Sequence, residues 1–586
     1  MTAASNSSSR NAPLRSARWF DGDDDVAVEH RAALRSANPE FRPGGSQPVI
    51  GIADTSSELN PCNLPLRGLI PDVAQGIHDA GGIPVTLPAM SLGEDLMKPT
   101  AMLYRNLLSI EIEEYLRAYP LDGIVLLANC DKTVPGSVMG AVSANFPTMM
   151  LIGGPRPIQT FRGRRIGSGT ALWRAFDQHR SGELDDAAWA EFEQCLSCGQ
   201  GACNTMGTAA SMAVVVETLG FTLPGTATMP ADDPARRAVA HETGRRAVAA
   251  VRENVRPRDL ITGISLRNAI RALNACGGST NAILHLIAIA RRAGNALSPA
   301  DVAAAGRGVP VLLDIEPHGQ GLVPDFHAAG GVPAILATLG DFIDRSALAG
   351  NGEPWSRVLR NAPVVNETTV IRPLDAPLRS DGAFAFLHGN LAPRGAVLKT
   401  VAASERLFQH RGPAVVFHGY DDLWSRIDDP DLEVTPESVL VLAGCGPIGG
   451  PGMPEWGMIP IPKKLAKAGV RDMVRVSDAR MSGTSFGTCV LHVAPEAAIG
   501  GPLALVRDGD IIHLDVTRGR LDVEISEAEL RRRAAEWVTP PNPYRRGWIA
   551  LYRAHVTQAD EGCDLDFLQP RTPQDIEFVE PTIGRS

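Results

Sequence analysis

Between residues 48 and 152, short apolar runs alternate with stretches of helical spacing, and this alternation leaves few architectures open. Residues 48–53 (PVIGIA) form an apolar run that reads as a buried strand. Residues 66–80 follow with helical spacing and stop at Gly81-Gly82. Residues 83–87, 121–128 and 148–152 read as further strands, with helices expected over 101–119 and 135–143. Strands that alternate with helices predict a parallel sheet covered on both faces. Residues 188–292 are mostly helical in pattern, and 309–315 read as one more strand.

The character of the chain changes between residues 365 and 395, where Pro373, Pro377, Gly382, Gly389 and Pro393 cluster. Strands are then expected over 396–401, 414–417, 438–443, 511–516 and 520–525, the last two joined by a hairpin loop at Thr517-Arg518-Gly519. This divides the sequence into a tail and lead-in (1–40), an α/β domain with a parallel sheet and flanking helices (41–375), and a β-rich domain (376–586).

Composition removes several classes of function. No apolar run approaches the ~18 residues a membrane helix needs. The 56 basic and 66 acidic residues give a net charge of −10, and no basic stripe is present, which argues against a nucleic-acid partner. Nine cysteines in 586 residues are too few for a disulfide scaffold, and their odd number leaves one unpaired. A reducing, cytoplasmic setting is expected. The first sixteen residues contain two arginines and no acid, and lack the apolar core of a secretion signal, so they read as a tail.

Several side chains sit where chemistry is expected. Cys130-Asp131-Lys132 follows the strand over 121–128, and ligands in open α/β sheets bind beyond the carboxyl ends of strands. Cys62 again lies after a strand and before a helix, and Cys203 lies in a glycine-flanked loop that can approach a ligand closely. Three well-separated cysteines on loops suit one soft metal centre, whereas each alone reads more readily as a small core residue than as a ligand. Cys195 and Cys198, near Cys203, form a rival zinc-type group. Glu94, just after a strand, suits a hard cation such as Mg²⁺. Glu455 lies in a loop shaped by glycines and prolines, and Ser482, between a strand-like run and a glycine, is a nucleophile or base candidate outside any G-x-S-x-G frame. No glycine-rich segment has the phosphate-loop or dinucleotide pattern.

Taken together, eight segments resemble one family in order: SELNPCN (57–63), MSLGE (90–94), LDGIVLLANCDKTVPG (121–136), GACNTMGTA (201–209), GGSTNA (277–282), GNLAPRGAVLK (389–399), GPIGGPGMPEWGMIPIPKKL (446–465) and SDARMSGTSFGTCVLHVAPEA (477–497). The chain resembles the dehydratases that include dihydroxy-acid, phosphogluconate and sugar-acid dehydratases. The resemblance implies a barrel-like second domain carrying a catalytic serine. It further implies that Cys62, Cys130 and Cys203 ligate a 2Fe-2S cluster, and that Glu94, Asp131, Lys132 and Glu455 surround Mg²⁺. Lys132 would be carboxylated on its side-chain nitrogen, Ser482 would be the general base, and Thr484 a substrate contact.

In that scheme Mg²⁺ holds the substrate carboxylate and C2 hydroxyl, Ser482 takes the C2 proton, and the C3 hydroxyl leaves to iron. The enol product tautomerises to a 2-keto-3-deoxy acid. Segments 90–94 and 449–465 resemble the aldonate branch, similar to L-arabinonate and D-xylonate dehydratases, so the expected substrate is a C5 or C6 sugar acid. A homodimer or homotetramer is implied as well. The sequence departs from relatives at Pro65, where a histidine is common, at residues 382–393, and at His418, where an acid is common. The alternatives are a dihydroxy-acid dehydratase of branched-chain amino-acid biosynthesis, a non-catalytic iron–sulfur protein on the same fold, and a zinc hydrolase built on Cys195, Cys198 and Cys203.

Overall fold

The computed structural model describes residues 13–39, 41–42, 47–196, 199–362 and 370–585. Four parallel strands, β1 (Val49–Asp54), β2 (Ile83–Pro88), β3 (Gly123–Ala128) and β4 (Thr148–Ile152), lie in the order β2-β1-β3-β4. Successive strand side chains point to opposite faces, so an all-apolar strand feeds two cores. In β3, Val125 and Leu127 pack with the helices Ile70–Asp79 and Arg236–Glu253, while Ile124, Leu126 and Ala128 pack with Met102–Ala118 and Thr133–Ala144. The sheet expected from the alternation is present, with strand ends within two residues of the expected ones.

The expected strand over 309–315 is not a sheet member. Val311, Leu313 and Ile315 make only isolated bridges, to Arg379, Ile371 and Gly321, and the amides of Leu312 and Leu313 donate to the carbonyl of Ala275. The run is buried among helices, and apolar content alone does not distinguish that from a strand in a sheet. The reading of residues 1–16 as a tail is corrected at its end. The first twelve lie outside the described residues, but Ser16 is buried and its amide and hydroxyl donate to Asp122 at 3.0 and 2.7 Å.

A short hairpin, β5 (Gln159–Phe161) with β6 (Arg164–Ile166), precedes the helices Thr170–Ser181 and Asp186–Leu196. The second half is a mixed eight-stranded sheet. Its strands are β7 (Phe384–Leu387), β8 (Gly395–Lys399), β9 (Gln409–His418), β10 (Val439–Ala443), β11 (Arg475–Ser477), β12 (Cys489–Ala494), β13 (Ile511–Asp515) and β14 (Arg520–Val523). Their order is β14-β13-β9-β10-β11-β12-β8-β7, and a bridge between His388 and Arg520 brings the two edges together into a barrel-like wall. Strands β7, β11 and β12 are additional to those expected. The continuation of β8 expected over 400–401 is instead the 3-10 turn Thr400–Ala402. No helix among the described residues is long and apolar enough to cross a membrane.

Candidate active site

Strand β3 ends at Ala128, and the chain turns through Asn129 and Cys130 so that Lys132 caps the helix Thr133–Ala144. This break lets Cys130, Asp131 and Lys132 face one region, which a continuing strand would forbid. The turn is held by Asn63, whose side-chain oxygen accepts from the amides of Asn129 and Cys130 at 3.2 and 2.8 Å. Asn129 in turn donates to the carbonyls of Cys62 and Gly154 at 2.7 and 2.8 Å. These bonds tie the loop after β1 to the loop after β3, two adjacent strands whose connections leave in opposite directions, where a ligand crevice forms in such sheets.

Lys132 has no exposed side-chain surface and is ringed by acids. Its ammonium pairs with Asp131, with Glu455 at 3.4 Å and with Glu94 at 3.5 Å. Burial pulls the ammonium's pKa down, but Asp131 and the other two carboxylates outweigh this and leave it raised. Glu455 arrives from the second half of the chain. Its Oε1 accepts from Arg480 at 2.8 Å and from the Asn281 amide at 2.7 Å. Thr100 donates to Glu94 at 2.6 Å and accepts from Arg480 at 3.0 Å, closing the ring.

Oxygens of Glu94, Asp131 and Glu455 lie within 4.8 Å of one another. Glu94 Oε2 is buried without a hydrogen-bond partner, and burial pushes the Glu94 carboxyl up to about 7. Three converging carboxylates, one with an oxygen that accepts no hydrogen bond and meets the Lys132 ammonium only at 3.5 Å, fit a hard divalent cation, whose charge would favour the ionised acids.

The three singled-out cysteines also converge. The neighbouring Cys62 thiol, with burial, raises Cys130 well above its ordinary value, and the Cys130 thiol donates to Asp131 Oδ1 at 3.5 Å. Burial pushes Cys203 up to about 12, partly opposed by the nearby Arg156 guanidinium and reinforced by Cys62. Arg156 reaches Cys62 Sγ at 4.0 Å and the Gly201 carbonyl at 3.3 Å. Such thiols ionise when a metal supplies positive charge. By contrast, Cys195 packs in an apolar cluster with Phe161, Phe192 and Leu172, and Cys198 lies outside the described residues.

Ser482 Oγ is 2.9 Å from Thr484 Oγ1, on the loop after β11. Asn281 links this loop to the acid ring, donating to the Met481 carbonyl at 3.2 Å as well as to Glu455. Arg480, Asn281, Thr100 and Arg156 were not singled out from the sequence. Asn281 and Arg480 do stand inside segments 277–282 and 477–497, which carry the family resemblance, and that was the available signal. His418 is exposed at the end of β9, its amide donating to Asp422 at 2.9 Å, and it takes no part in the ring.

The N-terminal profile of the dihydroxy-acid/6-phosphogluconate dehydratases matches residues 47–357, and the C-terminal profile matches residues 369–563. The chain is 47% identical over 559 residues to a 6-deoxy-6-sulfo-D-gluconate dehydratase of Pseudomonas putida, covering 95% of this chain and 96% of that protein. It is 45% identical over 560 residues to an L-arabinonate dehydratase of Rhizobium leguminosarum bv. trifolii, with 95% and 96% covered. A dihydroxy-acid dehydratase of Methanobrevibacter smithii is 35% identical over 545 residues, with 92% and 97% covered. Matches across both halves and nearly the full length of these relatives make the chain a member of the dihydroxy-acid/6-phosphogluconate dehydratase family, a hydro-lyase by class.

Proposed function

We propose that the protein dehydrates a C5 or C6 aldonate to the 2-keto-3-deoxy acid. One observation carries the reading: a fully buried lysine ringed by carboxylates from both halves of the chain is tied through Asn281 to the loop that carries the Ser482–Thr484 hydroxyl pair. The higher identity to the relatives named for 6-deoxy-6-sulfo-D-gluconate and L-arabinonate than to the dihydroxy-acid dehydratase of Methanobrevibacter smithii supports the aldonate branch.

Glu94, Asp131, Glu455 and an N-carboxylated Lys132 are proposed to hold Mg²⁺, and Cys62, Cys130 and Cys203 a 2Fe-2S cluster. When bound, these groups supply Lewis acidity to the substrate carboxylate and C2 hydroxyl and an acceptor for the C3 hydroxyl. Carboxylation of Lys132 by CO₂, with loss of two protons from the ammonium, turns that cation into a further oxygen donor, while Arg480 remains as the cation beside Glu455. Arg480 and Asn281 fix the Glu455 carboxylate so that it stays aimed at the ring. Ser482 Oγ accepts the C2 proton, and Thr484 contacts the substrate.

The test is an anaerobic screen of cluster-loaded protein with Mg²⁺ across pentonates, hexonates and 2,3-dihydroxyisovalerate, read as 2-keto acid formed. Product from an aldonate and none from the dihydroxy acid is expected; the reverse assigns the chain to the dihydroxy-acid reaction. Ser482→Ala should keep the visible spectrum of the cluster and lower kcat by about 10³-fold or more. Turnover near that of the parent protein would remove Ser482 from the base role.

A further inference from the structure

We propose that Trp173 is a positioning residue for the Ser482 base: its indole N–H holds the Thr484 hydroxyl in the orientation that donates to Ser482 Oγ. The inference rests on the proposed role of Ser482. Trp173 Nε1 lies 3.0 Å from Thr484 Oγ1, and an indole nitrogen can only donate. Thr484 Oγ1 therefore accepts from Trp173, and its own single hydrogen must point elsewhere. Its one other hydrogen-bond partner among the described residues is Ser482 Oγ, at 2.9 Å. Because a base must present an acceptor to the substrate, the direction proposed for the chain is Trp173 to Thr484 to Ser482, with the Thr484 hydroxyl donating to Ser482 Oγ. The backbone amide of Thr484 also reaches Ser482 Oγ, at 3.4 Å. Ser482 Oγ thus meets two donors from one residue.

Two donors on one oxygen stabilise its negative form and lower the cost of deprotonating it. Once Ser482 has given up its own proton, its third lone pair is left for the substrate proton.

The surroundings of Thr484 are built to keep this orientation. Thr484 is buried, and its carbonyl accepts from Thr170 Oγ1 at 2.8 Å. A Cβ on Gly169 would stand 2.6 Å from Thr484 Oγ1, and one on Gly207 would stand 2.8 Å from its methyl carbon. Gly169 has φ +79°, so a side chain there is disfavoured by backbone conformation as well. The start of the helix Thr170–Ser181 is pressed against Thr484 from one side and the loop before Thr208–Thr218 from another. The base belongs to the second half of the chain, and the group that orients it belongs to the first.

The experiment replaces Trp173 with phenylalanine and, as a near-isosteric change that removes only the donor, with 3-benzothienylalanine. Thr484→Val removes the relaying hydroxyl, and Thr484→Ser keeps it. Both Trp173 replacements should lower kcat about five- to tenfold with KM within about twofold, and move the acid limb of the kcat–pH profile upward by about half to one unit. Thr484→Val should move the acid limb in the same direction whatever its KM, Thr484→Ser, which keeps the hydroxyl, should leave the acid limb in place whatever its kcat, and Trp173→Phe in the Thr484→Val background should move the limb no further. An unmoved acid limb in both Trp173 variants, or losses that multiply in the double variant, would overturn the proposal. If Ser482→Ala retains turnover, the base assignment itself fails. If Ser482→Ala is inactive and the Trp173 variants behave as the parent, only the role of Trp173 fails.

Discussion

Glu94 illustrates how a single side chain links site and stability. Its carboxyl is pushed up to about 7, chiefly by burial and further by Glu455 and Asp131, against the pull of Lys132. An unfolded glutamate titrates near its ordinary value of about 4.3. The folded state therefore binds this proton more tightly than the unfolded state. Stability from Glu94 is fully present below the unfolded value and is lost as pH rises through 7. Chemical denaturation of metal-free protein and Glu94→Gln at pH 5, 6, 7 and 8 should show the parent's advantage shrinking with pH. Added Mg²⁺ should restore it at pH 8. A difference that stays constant with pH would contradict this. The residue identities of the ring were legible in the sequence, since Glu94, Asp131, Lys132 and Glu455 stand in segments that carry a resemblance. Arg480 and Asn281 stand in such segments too, but their part in holding Glu455 was not legible, because it exists only once the folded chain brings them against that carboxylate.

At the level of elements, the four-stranded sheet was readable because an all-apolar run of strand length between helices has one stable outcome, burial on both faces. The run over 309–315 misled for the same reason: it is as apolar as a strand but pairs with helix ends and isolated residues. Strands β7, β11 and β12 went unread, β11 having only three residues, too few to show a period. Helix packing over the sheet depends on two glycines that no pattern identified. A Cβ on Gly76 would stand 1.8 Å from the His241 carbonyl oxygen, and one on Gly244 would stand 2.2 Å from that of Val73. The helices Ile70–Asp79 and Arg236–Glu253 thus approach backbone to backbone. Gly244→Ala should force them apart, cost about 3 kcal/mol and lower the thermal midpoint. Gly68→Ala, with no atom within 4 Å of its added methyl, is the control and should change stability by less than about 1 kcal/mol. Equal midpoints for both variants would refute the close-crossing argument.

Across the whole molecule, the end of the chain returns to the first half. Arg292 and Asp564 have no exposed side-chain surface and form a two-point pair, at 2.8 and 2.7 Å. Arg105, also buried, donates to the carbonyls of Gly562 and Cys563 at 2.9 and 2.7 Å. Removing one partner of a buried ion pair leaves the other charge desolvated, at a cost of about 3–5 kcal/mol. Asp564→Ala should therefore lower the calorimetric unfolding midpoint clearly, and Asp564→Asn by less. An unchanged midpoint for Asp564→Ala would show that the pair contributes nothing net.

The sequence by itself determined the parallel sheet and the β-rich second half and marked the candidate acids, cysteines and hydroxyls, because periodicity, strand-end position and ordered motifs are local properties of the chain. Only the tertiary structure decided that Lys132 from the first half meets Glu455 from the second, that Trp173 stands behind Ser482, and that Cys195 packs in an apolar cluster. The first two depend on contacts between residues 323 and 311 positions apart, and the third on the packing of one helix against a neighbouring hairpin. Burial, distance and the direction of a hydrogen bond are properties of the assembled interior, and no local pattern encodes them.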